Sequence, residues 1–408
     1  MSVSVYPAVV IGAGPYGLAT TAHLRAAGLE PKVFGDPMSF WDQQMPMGML
    51  LRSAWDASHI ADPHGTLTLD AYGADRGRPV PYPVPVEEFV GYGRWYQNRV
   101  APDLDRRRVT SVEPDSAGFR LTTEDGEEIR SRRVIFATGI ARYAHTPRVL
   151  AHLPEAVATH TVNEHDLSRF RDKKVLVVGS GQSGLESAAL MAESGAHVEV
   201  VGHAPRLHFL KSARFRASLG PIRRFVYPPE DVGPPGLNQI VSRPHLFRLF
   251  PGKLRARMAR RAIRPAGANW LITRLAGIPI ALGHEVSAAQ VVEGKVHASI
   301  TDGTTRVVDH VLVATGYKVD IRRDPTLSEG LLRAVEQING YPRLSQGLVS
   351  SVDGLYWVGA PAAESWGPLL RFVSGTGFAS RSVAASVVAS LASRPGSAGL
   401  RAPRTAIA

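Results

Sequence analysis

Two glycine clusters in this chain have the spacing of a phosphate-binding turn: Gly12-Ala13-Gly14-Pro15-Tyr16-Gly17 and Gly179-Ser180-Gly181-Gln182-Ser183-Gly184. Each follows an apolar run, Ala8-Val9-Val10-Ile11 or Lys174-Val175-Leu176-Val177-Val178, and each precedes an Ala-rich stretch of helical character. In that setting the first glycine permits a tight turn and the second lets the backbone approach a pyrophosphate. The third allows helix to pack closely on strand, and the phosphates sit at the helix N-terminus. One such pattern is weak. Two imply two dinucleotides in one chain, the arrangement on which flavin redox chemistry runs.

An acidic residue normally ends the second strand of such a unit and binds a ribose. After the first cluster that place falls on Gly35, with Asp36 one step later. Asp36 either does the job with shifted geometry or belongs to the turn Asp36-Pro37. After the second cluster the run Val198-Glu199-Val200-Val201-Gly202 ends without an acid, and His203 and Arg206 stand there instead. A carboxylate would repel a 2′-phosphate, whereas Arg binds one through a fork of donors. NADPH is therefore favoured over NADH, the alternative being that Arg206 only opens the basic stretch beyond it. Two further runs end alike, in Ala137-Thr138-Gly139 and Ala314-Thr315-Gly316, small residues that let the chain cross close to a nucleotide.

The elements that must hold these residues can be read from the pattern. A buried parallel strand at 8–11 leads into a helix at 17–27, Gly28 caps it, and 31–34 forms the next strand. Residues 41–86 are rich in Pro, Gly, Met and Trp without clean periodicity, which suggests a cover over a site rather than scaffold. An amphipathic helix is expected at 87–99 and short strands at 108–114, 118–123 and 129–136. Strands return at 285–299, 306–314 and 354–359, and a Gly/Ala/Ser-rich helix runs from about 375 to 393.

Composition narrows the class. The 408 residues, 44% hydrophobic and 20% charged, suffice for two ordinary cores. No apolar run reaches the roughly 18–20 residues needed to span a bilayer, and Met1–Val10 carries no basic region, so neither a membrane span nor a signal peptide is expected and the location reads as cytoplasmic. There is no cysteine, which removes dithiol and thiolate-metal chemistry. The 14 histidines are scattered without a ligand motif, so no metal is expected. The net charge of +11 concentrates in residues 203–264, which hold 14 Arg or Lys against Glu230 and Asp231. That stretch is either a solvated helical surface or a help to an anionic cofactor or substrate; without a nucleic-acid fold beside it, nucleic acid is not an expected partner.

Together the two clusters, the paired Thr-Gly ends and the lack of cysteine resemble the class B flavin-dependent monooxygenases. That superfamily includes flavin-containing, Baeyer–Villiger and amino-acid N-hydroxylating enzymes, and the resemblance spans nearly the whole chain. Phe40-Trp41 through Met47-Gly48-Met49-Leu50-Leu51 is similar to the flavin-side loop of N-hydroxylating members, and Gln182-Ser183 to their second fingerprint. His160-Thr161 lies where the other two subfamilies carry a signature histidine, but Pro154 and Ala156 replace the Phe and Gly expected before it. The oxygenation type stays open between N-hydroxylation and Baeyer–Villiger insertion, and His160 between linker and functional residue.

The resemblance implies an α/β fold of two Rossmann-like domains, the NADPH domain inserted into the FAD domain. The expected boundaries are 1–165 and 311–394 for the FAD part, 166–310 for the NADPH part with a basic helical insertion at 205–275, and a mobile tail at 395–408. It implies Gly12, Gly14, Pro15, Tyr16, Gly17 and Asp36 at FAD, and Gly179, Gly181, Gln182, Ser183, Gly184, His203 and Arg206 at NADPH. Thr138, Gly139, Thr315, Gly316 and Gly359 complete the cofactor contacts. The implied chemistry is reduction of FAD by NADPH, addition of O2 at flavin C4a, and transfer of one oxygen from that hydroperoxide to a small organic substrate. The flavin surroundings are expected from Trp41, Gln44, Met49, Arg52 and Asp56, and from Trp366 as an aromatic wall with Gly367, Pro368 and Leu369; Arg52, Gln44, Asp56 and Trp366 are the catalytic candidates among them. Arg52 is the preferred polar catalytic residue, or else a structural partner of Asp56; Trp41 and Met49 serve equally as core. Competing readings are an NADPH oxidase or reductase that transfers no oxygen, and a protein whose basic segment binds an anionic partner. The oligomeric state, monomer or homodimer, is open.

Overall fold

The computed structural model describes residues 5–210, 227–230 and 232–392. The apolar runs form two parallel sheets. In the first, Val9–Ile11 lies between Lys32–Phe34 and Val134–Phe136, with Leu355–Trp357 outside the latter. Three of these strands are buried at every position, because a parallel sheet covered on both faces has no place for a polar side. In the second sheet Lys174–Val178 lies between His197–Gly202 and His310–Val313, flanked by Ile280–Leu282 and Ala158–His160. Strand order reverses in both sheets at the strand that leads into a glycine cluster. That reversal opens the crevice in which such sheets bind nucleotides.

Each parallel sheet has a companion: a four-stranded mixed sheet over Val5–Tyr6 and Val109 to Ser131, in which Val5–Tyr6 runs parallel to Glu128–Ser131 and the other pairs are antiparallel, and a three-stranded antiparallel sheet over Val286 to Val308. The single strands expected at 129–136 and 306–314 each divide in two. Glu128–Ser131 and Thr305–Val308 stay in the companion sheets, while Val134–Phe136 and His310–Val313 enter the parallel cores. The breaks fall at Arg132-Arg133 and Asp309, charged residues that cannot enter a sheet buried on both faces. The run 285–299 is a hairpin turning at Glu293-Gly294, both at positive φ, as a two-residue turn between twisted strands requires.

Five helices frame the site: the two fingerprint helices Pro15–Ala26 and Gln182–Glu193, the amphipathic Val86–Val100, the basic Gly252–Ala262 and the C-terminal Thr376–Ala392. The C-terminal helix packs on the first fingerprint helix, which joins the return segment to the first unit.

Two expectations about organisation change. Ala158–His160 pairs with His310–Val313 in the second sheet, so the chain leaves the first unit before residue 158 rather than at 165, and returns after Val313 rather than at 311. The basic insertion, attached in sequence to the second unit, packs on both. Val241, Phe247 and Met258 join the apolar core that holds Trp366 and Leu369, while Leu271 and Leu275 join the core under the second fingerprint helix. The insertion's residues 211–226 and the tail 395–408 lie outside the described residues.

Candidate functional site

The first glycine cluster is shaped by contacts that only glycine allows. Gly12 has φ +113°, and a Cβ there would stand 2.3 Å from the Ala137 carbonyl oxygen; one at Gly17 would stand 1.8 Å from the Gly12 oxygen. Ala137, at the start of the first Thr-Gly end, is thus the neighbour against which the turn closes. Gly14 differs. It caps the helix in extended conformation with no side-chain hydrogen bond, and a Cβ would meet nothing within 4 Å. The space above Gly14 is open and the first helical N–H groups have no capping side chain, which is the arrangement a phosphate needs. Pro15, at the first helical position, has no N–H to leave unsatisfied.

The second cluster repeats this construction. Gly179 closes against Ala314 and Gly184 against Gly179, while Gly181 caps its helix with no side-chain bond. Ser183 is exposed on the first turn. No carboxylate ends His197–Gly202; a Cβ at Gly202 would collide with Ser180, and His203 and Arg206 come next, exposed. Both clusters fit a dinucleotide by backbone shape rather than by side chains.

Other expected residues fall into distinct places. Asp36 is partly exposed at the end of Lys32–Phe34, with Arg106 3.8 Å away and Gln43 donating to it at 3.4 Å. Tyr16 is half-buried: its hydroxyl donates to the Phe372 carbonyl at 2.7 Å and its ring lies against Gly359. Burial pushes its phenol up, so Tyr16 and Gly359 act as a tie between fingerprint and return segment. Thr138 and Gly139 stand at the mouth of the first crevice, Thr315 and Gly316 at that of the second. Thr315 donates to the His145 carbonyl. His160 accepts the Val162 N–H on Nδ1 and so carries its proton on Nε2, which donates to the Gly316 carbonyl at 3.2 Å. With both nitrogens engaged by backbone, His160 is a pin of the linker.

Trp41 packs edge-on against Phe89 at 4.7 Å in the aromatic core beneath the 41–86 cover. Gln44 and Met49 are half-buried in the stretch that follows Trp41. Trp366 is corrected: it does not wall an open cleft. It is 1% exposed, donates from Nε1 to the Ser345 carbonyl, and is enclosed by His245, Phe378 and the Arg248 guanidinium. Gly367 uses its φ of +100° to admit the Phe247 ring from the insertion, and Pro368 opens a short 3-10 turn behind it.

The 45–52 loop brings the two units together. Leu50 N–H donates to Glu186 Oε1 at 2.8 Å, and Arg52 donates to the Ala266 carbonyl at 2.9 Å. The loop's other end is fixed to the linker, where His165 Nδ1 meets the Met45 carbonyl and the Met47 N–H donates to the His165 carbonyl. Glu186 was missed in the sequence, although one carboxylate amid Gly184, Leu185, Ser187, Ala188 and Ala189, all buried, was a legible signal.

A cavity of about 570 Å³ lies between the 56–61 turn, the insertion and the start of the C-terminal helix. Asp56 and Leu369 line it, as do His59, Glu230, Arg243 and Arg381, none of the last four expected. His59 accepts the Leu69 N–H on Nδ1, and burial lowers its pKa, so it presents a neutral ring at neutral pH. These residues come from three distant regions of the chain, 56–59, 230–243 and 369–381, which is why no local pattern marks them. No three His, Cys, Asp or Glu among the described residues are grouped to hold a metal, and no described helix is long and apolar enough to cross a membrane.

A family model described as pyridine nucleotide-disulphide oxidoreductase matches residues 6–218. The chain belongs to that family. Its 408 residues contain no cysteine, so it shares the family's two-nucleotide fold without the thiols of a disulphide reaction. Among curated proteins it is 27% identical over 220 residues to a ferredoxin–NADP reductase of Ignicoccus hospitalis, covering 54% of this chain and 61% of that one. It is 29% identical over 188 residues to the probable indole-3-pyruvate monooxygenase YUCCA1 of Arabidopsis thaliana, covering 45% and 43%. These matches span about half the length of either relative. Among solved structures, the ornithine hydroxylase PvdA of Pseudomonas aeruginosa superposes with a TM-score of 0.74 over 95% of this chain and 100% of that one, at 18% identity. That likeness establishes the fold, two Rossmann-like domains arranged as in that hydroxylase.

Proposed function

We propose that this oxidoreductase is an FAD- and NADPH-dependent monooxygenase that delivers one oxygen atom from O2 to a small organic substrate, with an amine nitrogen as the favoured target. The observation that carries the reading is the duplicated cradle: two uncapped helix starts, at Gly14 and Gly181, in crevices joined by the 45–52 loop. FAD is assigned to the first and NADPH to the second, where His203 and Arg206 replace the ribose-binding acid. When bound, these groups supply a hydride and a ring that accepts it and activates oxygen.

The chain's own work is to hold, orient and exclude water. Backbone N–H groups after Gly14 and Gly181 receive the pyrophosphates, and Asp36 reaches the first ribose. Arg206 grips the 2′-phosphate. The 41–86 cover, closed over the helix Val86–Val100, keeps solvent from the reacting edge. The cavity's carboxylates at Asp56 and Glu230 and guanidiniums at Arg243 and Arg381 suit a substrate that carries both an ammonium and a carboxylate. PvdA's designation as an ornithine hydroxylase and YUCCA1's as a monooxygenase support the same reading.

A second reading, electron transfer without oxygen insertion, is favoured by the ferredoxin–NADP reductase match. One experiment separates them. The purified flavoprotein is reduced anaerobically with NADPH or NADH, oxygen is admitted with a panel of amines headed by ornithine, and hydroxylated product and H2O2 are quantified. Product formed in step with NADPH supports the monooxygenase. Release of all electrons as H2O2 with every amine, together with reduction of an added acceptor protein, supports the reductase. A protein that binds no flavin overturns both.

A further inference from the structure

Glu186 is 1% exposed on the second fingerprint helix, and both its oxygens are engaged. Oε1 accepts the Leu50 N–H of the flavin-side loop at 2.8 Å, and Oε2 accepts from Gln182 Nε2 at 2.9 Å. Gln182 cannot turn its amide round without loss, because its Oε1 accepts the Ala268 N–H of the insertion at 2.7 Å. A continuous relay thus runs from Ala268 through Gln182 and Glu186 to Leu50. It ties together the insertion, the second nucleotide fold and the loop of the first fold, and Arg52 adds a parallel tie at Ala266.

We propose that Glu186 is a positioning residue: it holds the flavin-side loop against the second nucleotide fold, and so sets the registry in which hydride passes between the two sites. The residue acts through Leu50 and Gln182 and is outside the set that the fingerprint pattern assigns to cofactor contact. The inference rests on the functional reading above only for its kinetic consequence; the clasp itself is a property of the folded chain.

The clasp is sensitive to protonation. Burial pushes the Glu186 carboxyl up to about 7, against the pull of the Leu50 and Gln182 donors and of two cations, Arg274 and Arg52. Arg274 is already paired with Glu193, and Arg52 with the Ala266 carbonyl. Of the other charged or titratable groups on elements packed against the helix, Arg169 is paired with Glu164 and Glu199 with Arg306, while Lys174 and His197 sit at the exposed first positions of their strands. Opening the clasp returns the carboxyl to water and to the ordinary glutamate range near 4.5. The open form therefore gains as pH rises through that interval, and the gain levels off above about 7.

The test is amide hydrogen exchange of the full-length protein as purified, at pH 5 to 8 and corrected for intrinsic rates, read at Leu50 and along 182–190. In the wild type, opening at Leu50 should increase by at least about tenfold across that range. In Glu186→Gln the pH dependence should vanish, because the neutral side chain does not titrate and also sets an amide N–H against that of Gln182. Glu186→Asp, which restores the acid on a shorter stem, should restore the pH dependence in part. Anaerobic stopped-flow with NADPH should show the Glu186→Gln reduction rate lowered by about tenfold or more while the NADPH Kd stays within about twofold, the split expected when orientation rather than binding is lost. A wild-type Leu50 amide indifferent to pH overturns the proposal, and that measurement needs no variant to fold. A variant that exchanges and transfers hydride like the wild type overturns it as well. If NADPH fails to reduce the wild type at all, the functional reading falls while the exchange data still decide the clasp.

Discussion

Substituting Gly14 by Ala separates cofactor binding from folding more cleanly than any other change in the first fingerprint. Gly14 sits at φ −81° and ψ −175°, a conformation open to any residue, and an added methyl meets nothing within 4 Å. Two small terms then act on the apoprotein in opposite directions. Ala is a poorer helix cap than Gly, at about 0.5–1 kcal/mol, while the unfolded chain loses conformational freedom worth about 0.4–1 kcal/mol. The net change stays within about 1 kcal/mol, or roughly 3 °C in Tm. With FAD the balance differs. The methyl occupies the space through which a phosphate reaches the helix N–H groups, and losing one charge-assisted hydrogen bond costs about 1.5–3 kcal/mol, roughly ten- to a hundredfold in Kd. Gly12→Ala is the contrast, since its Cβ would stand 2.3 Å from the Ala137 oxygen at a φ of +113°; that variant should fail to accumulate as folded protein. The assay is thermal unfolding of apo and FAD-saturated protein with a fluorescence titration of FAD. A Gly14→Ala apoprotein destabilised by many degrees, or one that binds FAD like the wild type, would refute the reasoning about open space at this turn.

Three further outcomes are expected. The Glu186 carboxyl has a folded pKa raised to about 7 from an ordinary 4.5, so its contribution to stability is complete below pH 4.5 and is lost as pH rises to 7; the loss is on the order of 3 kcal/mol. Glu186→Gln should remove that slope, which denaturant unfolding of both proteins at pH 5 and pH 8 would show, and parallel slopes would contradict it. Arg206→Ala should weaken NADPH about ten- to a hundredfold, the worth of a lost charge-assisted phosphate contact, and leave NADH unchanged; equal weakening of both would remove Arg206 from the 2′-phosphate. Trp366→Ala should cost about 3–5 kcal/mol of stability through the void it leaves beneath His245 and Phe378. Trp366→Phe should recover much of it, and a large shift in the flavin spectrum with unchanged stability would return Trp366 to the active site.

The chemistry-bearing pattern that the sequence determined is local. A Gly-rich turn between an apolar strand and an Ala-rich helix is written within about thirty residues, because its needs are backbone needs: positive φ at Gly12, close approach at Gly17 and an uncapped start at Gly14. The Ala-Thr-Gly ends were legible for the same reason, since a small residue must face Gly12 and Gly179, and Ala137 and Ala314 do. The absence of cysteine and the missing acid at Gly202 were equally readable. What the tertiary structure alone decided depends on contacts between distant stretches. Trp366 was expected as an aromatic wall at the flavin beside a glycine-proline turn, yet His245 and Arg248, from far earlier in the chain, enclose it together with Phe378 while Phe247 enters against Gly367. The cavity at Asp56 borrows Glu230, Arg243 and Arg381 from segments with no shared periodicity. The insertion's allegiance to both units came from where Phe247 and Leu271 are buried, not from where the chain enters and leaves. The role of Glu186 came from the pairing of its oxygens across two folds. Backbone geometry is encoded by neighbours in the chain, whereas burial and partnership are fixed only when the sheets have closed and their helices have packed.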